Sequence, residues 1–203
     1  MSPPSRRTIL RAAGAALLSG TAGCIDRRGA GSGPLRVSVE STDTGQRDVS
    51  LSVEMLESTV TEAHPARLAV TVVNEGAERR IYPGDDRCGP LNRGNGESTP
   101  NGLWLHLPDD ARGIDHPDGR WTRDAPSSRP RGFGDYGCRG RPYEGGERVT
   151  TPYEVWDDYQ DGGYYPTGTY RFETEVTVYP PGKGADEPTA EFDWGFTLRV
   201  EPE

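Results

Sequence analysis

Phe192-Asp193-Trp194-Gly195-Phe196-Thr197-Leu198-Arg199-Val200 is the stretch on which the reading of this chain turns. Large apolar residues occupy every second position, so in an extended strand Phe192, Trp194, Phe196, Leu198 and Val200 share one face. A helix would scatter the same residues around its circumference. The segment therefore reads as a strand with one face set into a core, and it calls for further strands to supply the other side of that core.

Such strands are found along the whole chain. Just upstream, Thr169 to Tyr179 carries Tyr170, Phe172, Val176 and Val178, and Val149, Thr151, Tyr153 and Val155 alternate before it. Toward the N-terminus, Leu35, Val37 and Val39 alternate with Arg36, Ser38 and Glu40. Val49, Leu51, Val53 and Met55 alternate with Ser50, Ser52 and Glu54. Arg67 to Val73 places Leu68, Val70 and Val72 on one face, and Asn74-Glu75-Gly76 then turns the chain into a short strand at Glu78 to Tyr82. Leu103 to Leu107 is a lone apolar run in a region, 83–143, dominated by Gly, Pro, Asn, Asp and Arg. No helical stripe occurs. About eight short strands with Gly/Pro turns predict an all-β fold, an immunoglobulin-like β-sandwich with Greek-key connections and a long irregular insertion. In Pro166-Thr167-Gly168-Thr169-Tyr170, a tyrosine opening a late strand after a glycine turn is placed to send its hydroxyl back to the preceding loop, as a tyrosine corner does.

The N-terminus has a different character. Ser5-Arg6-Arg7-Thr8-Ile9-Leu10-Arg11 leads into a weakly apolar, Ala/Gly-rich run from Ala12 to Gly20, followed by Thr21-Ala22-Gly23-Cys24. The run is too short and mild for a membrane-spanning helix, which needs ~20 apolar residues. The stretch resembles a twin-arginine export signal, with Arg6 and Arg7 as the pair, ending in a lipobox whose Cys24 takes a lipid. Residues 1–23 are thus expected to be a signal peptide. Residues 24–34, with Arg27-Arg28-Gly29-Ala30-Gly31-Ser32-Gly33-Pro34, are expected to be a flexible tether, and 35–203 the sandwich domain.

The 203 residues carry a net charge of −9. Without Arg6, Arg7 and Arg11 the 23 basic residues become 20 against 32 acidic ones, a net of −12, and Lys183 is the sole lysine. Acidic, arginine-rich surfaces suit molar salt, where charge repulsion is screened over ~3 Å. Together with the leader, the composition resembles that of haloarchaeal cell-surface lipoproteins. No basic cluster follows Arg27-Arg28, which argues against nucleic-acid binding.

Leu68 to Gly76, which ends in Asn74-Glu75-Gly76, then Trp104, Gly145-Gly146-Glu147, Tyr153-Glu154-Val155-Trp156 and Thr167-Gly168-Thr169-Tyr170 together resemble the bacterial intracellular proteinase inhibitor (BsuPI) family over about half the chain. That resemblance implies an immunoglobulin-like fold and offers proteinase inhibition as an alternative function.

Besides Cys24 only Cys88 and Cys138 occur, and in an exported protein the pair is expected to form a disulfide closing the irregular region. The competing reading is a metal pair with His106 or His116, for which the spacing is poor. His64, His106 and His116 sit in no nucleophilic or metal-ligand motif and are expected to be solvated or loop residues. Asp85-Asp86, Asp109-Asp110, Asp115 with Asp118, and Asp157-Asp158 with Asp161 lack the ligand spacing of a calcium loop and read as solvated surface. A metal-dependent hydrolase is the least favoured alternative, and no cofactor is expected. Trp156, Tyr159, Tyr164 and Tyr165 form an aromatic loop, the candidate binding surface. The sequence as a whole points to a non-enzymatic module on the extracytoplasmic face of the membrane, held by lipid on Cys24 and engaging a protein or envelope partner.

Overall fold

The computed structural model describes residues 34–84, 89–91, 96–108, 120–123, 141–158, 163–182 and 187–203. Arg6, Arg7, Cys24, Cys88, Cys138, Tyr159, His116 and the remaining acidic clusters lie outside these residues. The twin-arginine, lipid-attachment and disulfide readings accordingly concern positions beyond them.

Period-two patterning becomes strand throughout. The described strands are β1 (Leu35–Thr42), β2 (Val49–Glu57), β3 (Thr59–Val60), β4 (Ala66–Asn74), β5 (Arg79–Pro83), β6 (Leu103–His106), β7 (Thr122–Arg123), β8 (Arg141–Tyr143), β9 (Arg148–Asp158), β10 (Gly168–Tyr179) and β11 (Ala190–Pro202). They build two sheets. One has the order β3-β1-β11-β10-β5-β8; the other runs β2-β4-β9-β6, with β7 added beside β9. All pairings are antiparallel except β7 with β9. Nearly every connection passes from one sheet to the other, and β10–β11 is the one consecutive pair that forms a ladder among the described strands. Eleven strands replace the eight expected. The additions β3, β7 and β8 are two or three residues long, too short for a periodic signal.

The core lies between the sheets. Phe192, Trp194, Phe196, Leu198 and Val200 are all buried, as their alternation predicts. Phe196 sits opposite Phe172 on β10 with the rings stacked at 5.3 Å, and Trp194 lies 5.8 Å from Phe196. The opposing sheet contributes Leu51, Leu68, Val70, Val72, Tyr153 and Val155. Gly195 is fixed by close approach: a Cβ there would stand 2.2 Å from the Phe172 carbonyl oxygen, so any side chain would force β10 and β11 apart.

Two polar devices close the ends. At one, the Tyr170 hydroxyl donates to the Pro166 carbonyl at 2.6 Å, which is the tyrosine corner expected from Pro166–Tyr170. Gly102 packs on that ring, where a Cβ would come within 2.6 Å of it. At the other end, the fully buried Asn74 side chain donates from Nδ2 to the carbonyls of Ala77 (2.8 Å), Tyr143 (3.1 Å) and Glu144 (3.0 Å). Its Oδ1 accepts from Gly76 N–H at 3.2 Å, and its backbone is bonded to Gly146 and Glu147. The Asn74-Glu75-Gly76 and Gly145-Gly146-Glu147 turns are therefore joined through one residue.

Candidate recognition site

The site grows from the end of β9. Register places Leu103 opposite Asp157, Trp104 opposite Trp156, Leu105 opposite Val155 and His106 opposite Glu154. Leu103, Leu105 and Val155 point into the core, so alternation sends Trp104, His106, Glu154, Trp156 and Asp158 to the outer face of the sheet. Successive β9 amides point to opposite edges. Asp158 N–H bonds Gly102 O beside β6 (3.0 Å), and Asp157 N–H bonds Trp121 O beside β7 (2.8 Å). The β4 ladder ends at Ala66 opposite Val155, and β7 takes over there.

On the outer face, aromatic rings cover one another. Trp156 is buried, with His106 at 4.4 Å, and Trp104 and Trp121 each at 6.0 Å. His106 Nδ1 lies 3.4 Å from Glu154 Oε2, which also accepts from Trp156 Nε1 at 3.2 Å. The His106 bond holds the Glu154 carboxyl below its usual range, against the opposing effect of burial. His106 Nε2 and Trp104 Nε1 are buried without a hydrogen-bond partner. Arg123 closes the face: its guanidinium lies 5.0 Å from the Trp104 ring centroid, bonds Glu97 through Nη1, and stands 3.8 Å from the buried Asp158 Oδ2.

The tip of the site is held from inside. Tyr165 adopts φ +47°, a conformation that costs a non-glycine residue ~1–3 kcal/mol. Two bonds impose it: Tyr165 N–H to Asp157 Oδ1 at 2.7 Å, and the Tyr165 hydroxyl to the Val155 carbonyl. Burial pushes the Tyr165 phenol well above its usual range. Tyr164 is left half-buried at the rim. Its hydroxyl accepts from Trp121 N–H at 3.1 Å, the exposed Arg120 lies over its ring at 4.5 Å, and Trp121 Nε1 donates to Thr61 O at 2.9 Å.

These facts revise the sequence expectations. Trp156 and Tyr165 are 1% exposed each, so they anchor the site from beneath and do not form its outer surface. Of the four aromatic residues expected there, Tyr164 alone reaches the surface within the described residues. Asp157 and Asp158 are 3% and 0% exposed, where solvated carboxylates were expected. The reason is that β9 continues through them and the segment 120–123 folds over its end. His106 lies on β6 and is buried beneath the indoles, where a solvated or loop residue was expected. His64 sits half-buried in the β3–β4 turn, with Nδ1 3.3 Å from Pro65 O. Sequence reasoning missed Arg120, Trp121 and Arg123. Their one signal is a basic-aromatic cluster, Arg120-Trp121-Thr122-Arg123, inside a stretch with no period.

Among the described residues no three His, Cys, Asp or Glu side chains converge as metal ligands, and no helix is long and apolar enough to cross a membrane.

Asp157 gives this end a pH signature. Burial raises its carboxyl from an ordinary 3.8 to about 6, partly opposed by the Tyr165 N–H. The folded state therefore holds a proton that the unfolded chain releases. Stability from this residue is full below pH 3.8 and is lost as pH rises through about 6. Asp157→Asn keeps the carbonyl acceptor and removes the titration. Unfolding curves taken between pH 4 and 7 should show the stability difference between Asp157→Asn and the parent growing in favour of the variant as pH rises; a constant difference would refute this assignment.

Comparisons of the chain with family models, curated proteins and solved structures find no match.

Proposed function

We propose that this chain is a non-enzymatic lipoprotein, carried across the membrane by the twin-arginine leader and held on its outer side through Cys24. Its immunoglobulin-like sandwich presents the Arg120–Trp121–Tyr164 end for recognition. The observation that carries the reading is the set of contacts that hold that end. Tyr164 is fixed by the Trp121 amide, by Arg120 over its ring, and by a strained Tyr165 beneath it. Aromatic residues held in one conformation lose little entropy on binding and serve as contact anchors.

The immunoglobulin-like assignment is supported by strand order. β2-β4-β9-β6 follows the A-B-E-D pattern and β11-β10-β5 the G-F-C pattern, with the Tyr170 corner at the start of β10. On this reading a Cys88–Cys138 disulfide staples the insertion between β5 and β9. The turns joined at Asn74 favour the fold of the BsuPI family. Inhibition of a proteinase at molar salt would extend the kinship to activity.

A photoreactive benzophenone side chain placed at position 164 in intact cells tests the proposal. It should capture a lipid or protein of the envelope, and the same group at position 182, on the opposite end, should not. No adduct at 164, or equal adducts at both positions, would contradict it.

A further inference from the structure

We infer that the partner of this end is the lipid surface: Leu56 near the close of β2, together with Trp121 and Tyr164, lies against the membrane, and the Asn74 end faces outward. The inference rests on the lipid anchor at Cys24 proposed above. Its first ground is where the chain enters the sandwich. Leu35, the first residue of β1, is opposite Val60 of β3 and Pro202 at the close of β11, and Gly168 at the start of β10 is opposite Val200. These strand ends share one end of the first sheet. The second sheet meets it there twice. Thr61, just after β3, accepts from Trp121 Nε1, and the segment 163–167 leads from the close of β9 into β10. The tether therefore joins the domain at the aromatic end.

Length then limits the geometry. Ten residues, Ile25 to Pro34, separate Leu35 from Cys24, and even fully extended the eleven steps between the two span at most ~40 Å. β10, with twelve residues, is itself ~40 Å long. The aromatic end thus stays within ~40 Å of the bilayer, little more than the ~30 Å diameter of a small domain. The Asn74 end, a further strand length away, can stand as far as ~80 Å from the bilayer.

The chemistry of the rim matches a lipid interface. Leu56 is the exposed large hydrophobic residue among the described ones, at 50%, and it sits at the β2 irregularity between Met55 and Glu57. Trp121 and Tyr164 are half-buried rings with their polar atoms bonded inward, the amphipathic type enriched at membrane–water boundaries. The Arg120 guanidinium is exposed beside them and suits a phosphate. Glu57 and Glu62 are exposed nearby and remain hydrated, which keeps contact shallow. At molar salt charge attraction is screened within ~3 Å, so apolar and aromatic insertion must carry the contact.

The test uses the native, full mature lipoprotein reconstituted into phosphatidylcholine vesicles with brominated acyl chains, which quench nearby tryptophan. Quenching is expected, falling about twofold or more in Trp121→Phe and in Leu56→Asp. Leu56 is exposed, so its replacement leaves the core intact and separates lost contact from lost fold. A chain that floats with the vesicles but shows no quenching, or quenching unchanged in both variants, overturns the inference and leaves the anchor standing. A chain that fails to float and carries an unmodified Cys24 overturns the anchor and the inference together.

Discussion

Trp194→Ala is expected to remove about 3–5 kcal/mol of unfolding free energy, the usual cost of deleting a large buried aromatic side chain. Trp194 is fully buried, lies 5.8 Å from Phe196, and donates from Nε1 to the Asp43 carbonyl at 3.1 Å. Truncation opens a void between the sheets and leaves that carbonyl without the indole. The effect is large relative to the whole, because single domains have only ~5–15 kcal/mol of net stability and this chain is just 32% hydrophobic. Denaturant unfolding at molar salt should show a much lower midpoint. A loss below about 1 kcal/mol would mean that Trp194 does not sit between the sheets.

Asn74→Ala should cost about 2–4 kcal/mol despite removing only a small side chain. Three carbonyls, those of Ala77, Tyr143 and Glu144, share its Nδ2, and Gly76 N–H uses its Oδ1. Each buried group left unpaired carries its own desolvation penalty. Asn74→Asp is the sharper variant. It keeps the acceptor for Gly76 but turns a negative oxygen toward three carbonyls, so it should be at least as damaging as alanine. Hydrogen exchange should localise the loss to the Glu75–Glu78 and Glu144–Glu147 turns. If Asn74→Asp were neutral, the donor role of Nδ2 would be wrong.

Much of this fold was legible because half-buried strands write their burial into every second residue. Phe192 to Val200 and Leu68 to Val72 read directly, and the Pro166–Tyr170 motif foretold a specific hydrogen bond. What escaped is of two kinds. β3, β7 and β8 are too short to show a period, and β7 exists only because β9 offers it an edge at Asp157–Asp158. The close of β9 escaped for the opposite reason. From Val155 to Asp158 every residue is buried, so alternation vanishes and an acidic, aromatic run looks like a solvated loop. Trp156 and Tyr165 were picked out for their aromatic character. That character was diagnostic, but of the inner support for the site. At the outer rim Tyr164 was marked by the same character, whereas Arg120 and Trp121 show only as a short run of two arginines around an indole in a stretch with no period.

The acidic surface and the aromatic end are compatible once salt is considered. If the chain works in molar salt, as proposed, its thirty-two carboxylates keep it hydrated and the same salt removes long-range attraction as a docking force. On the proposed reading, recognition depends on contacts of short range, which Tyr164 and the exposed Leu56 would supply.

The location of the domain and the lipid-facing end both depend on the anchor, and intact mass spectrometry of the chain extracted from its own membrane tests it directly. The predicted mass is that of a polypeptide beginning at Cys24 and bearing lipid. A chain retaining Met1, or one with Cys24 unmodified, would contradict the account.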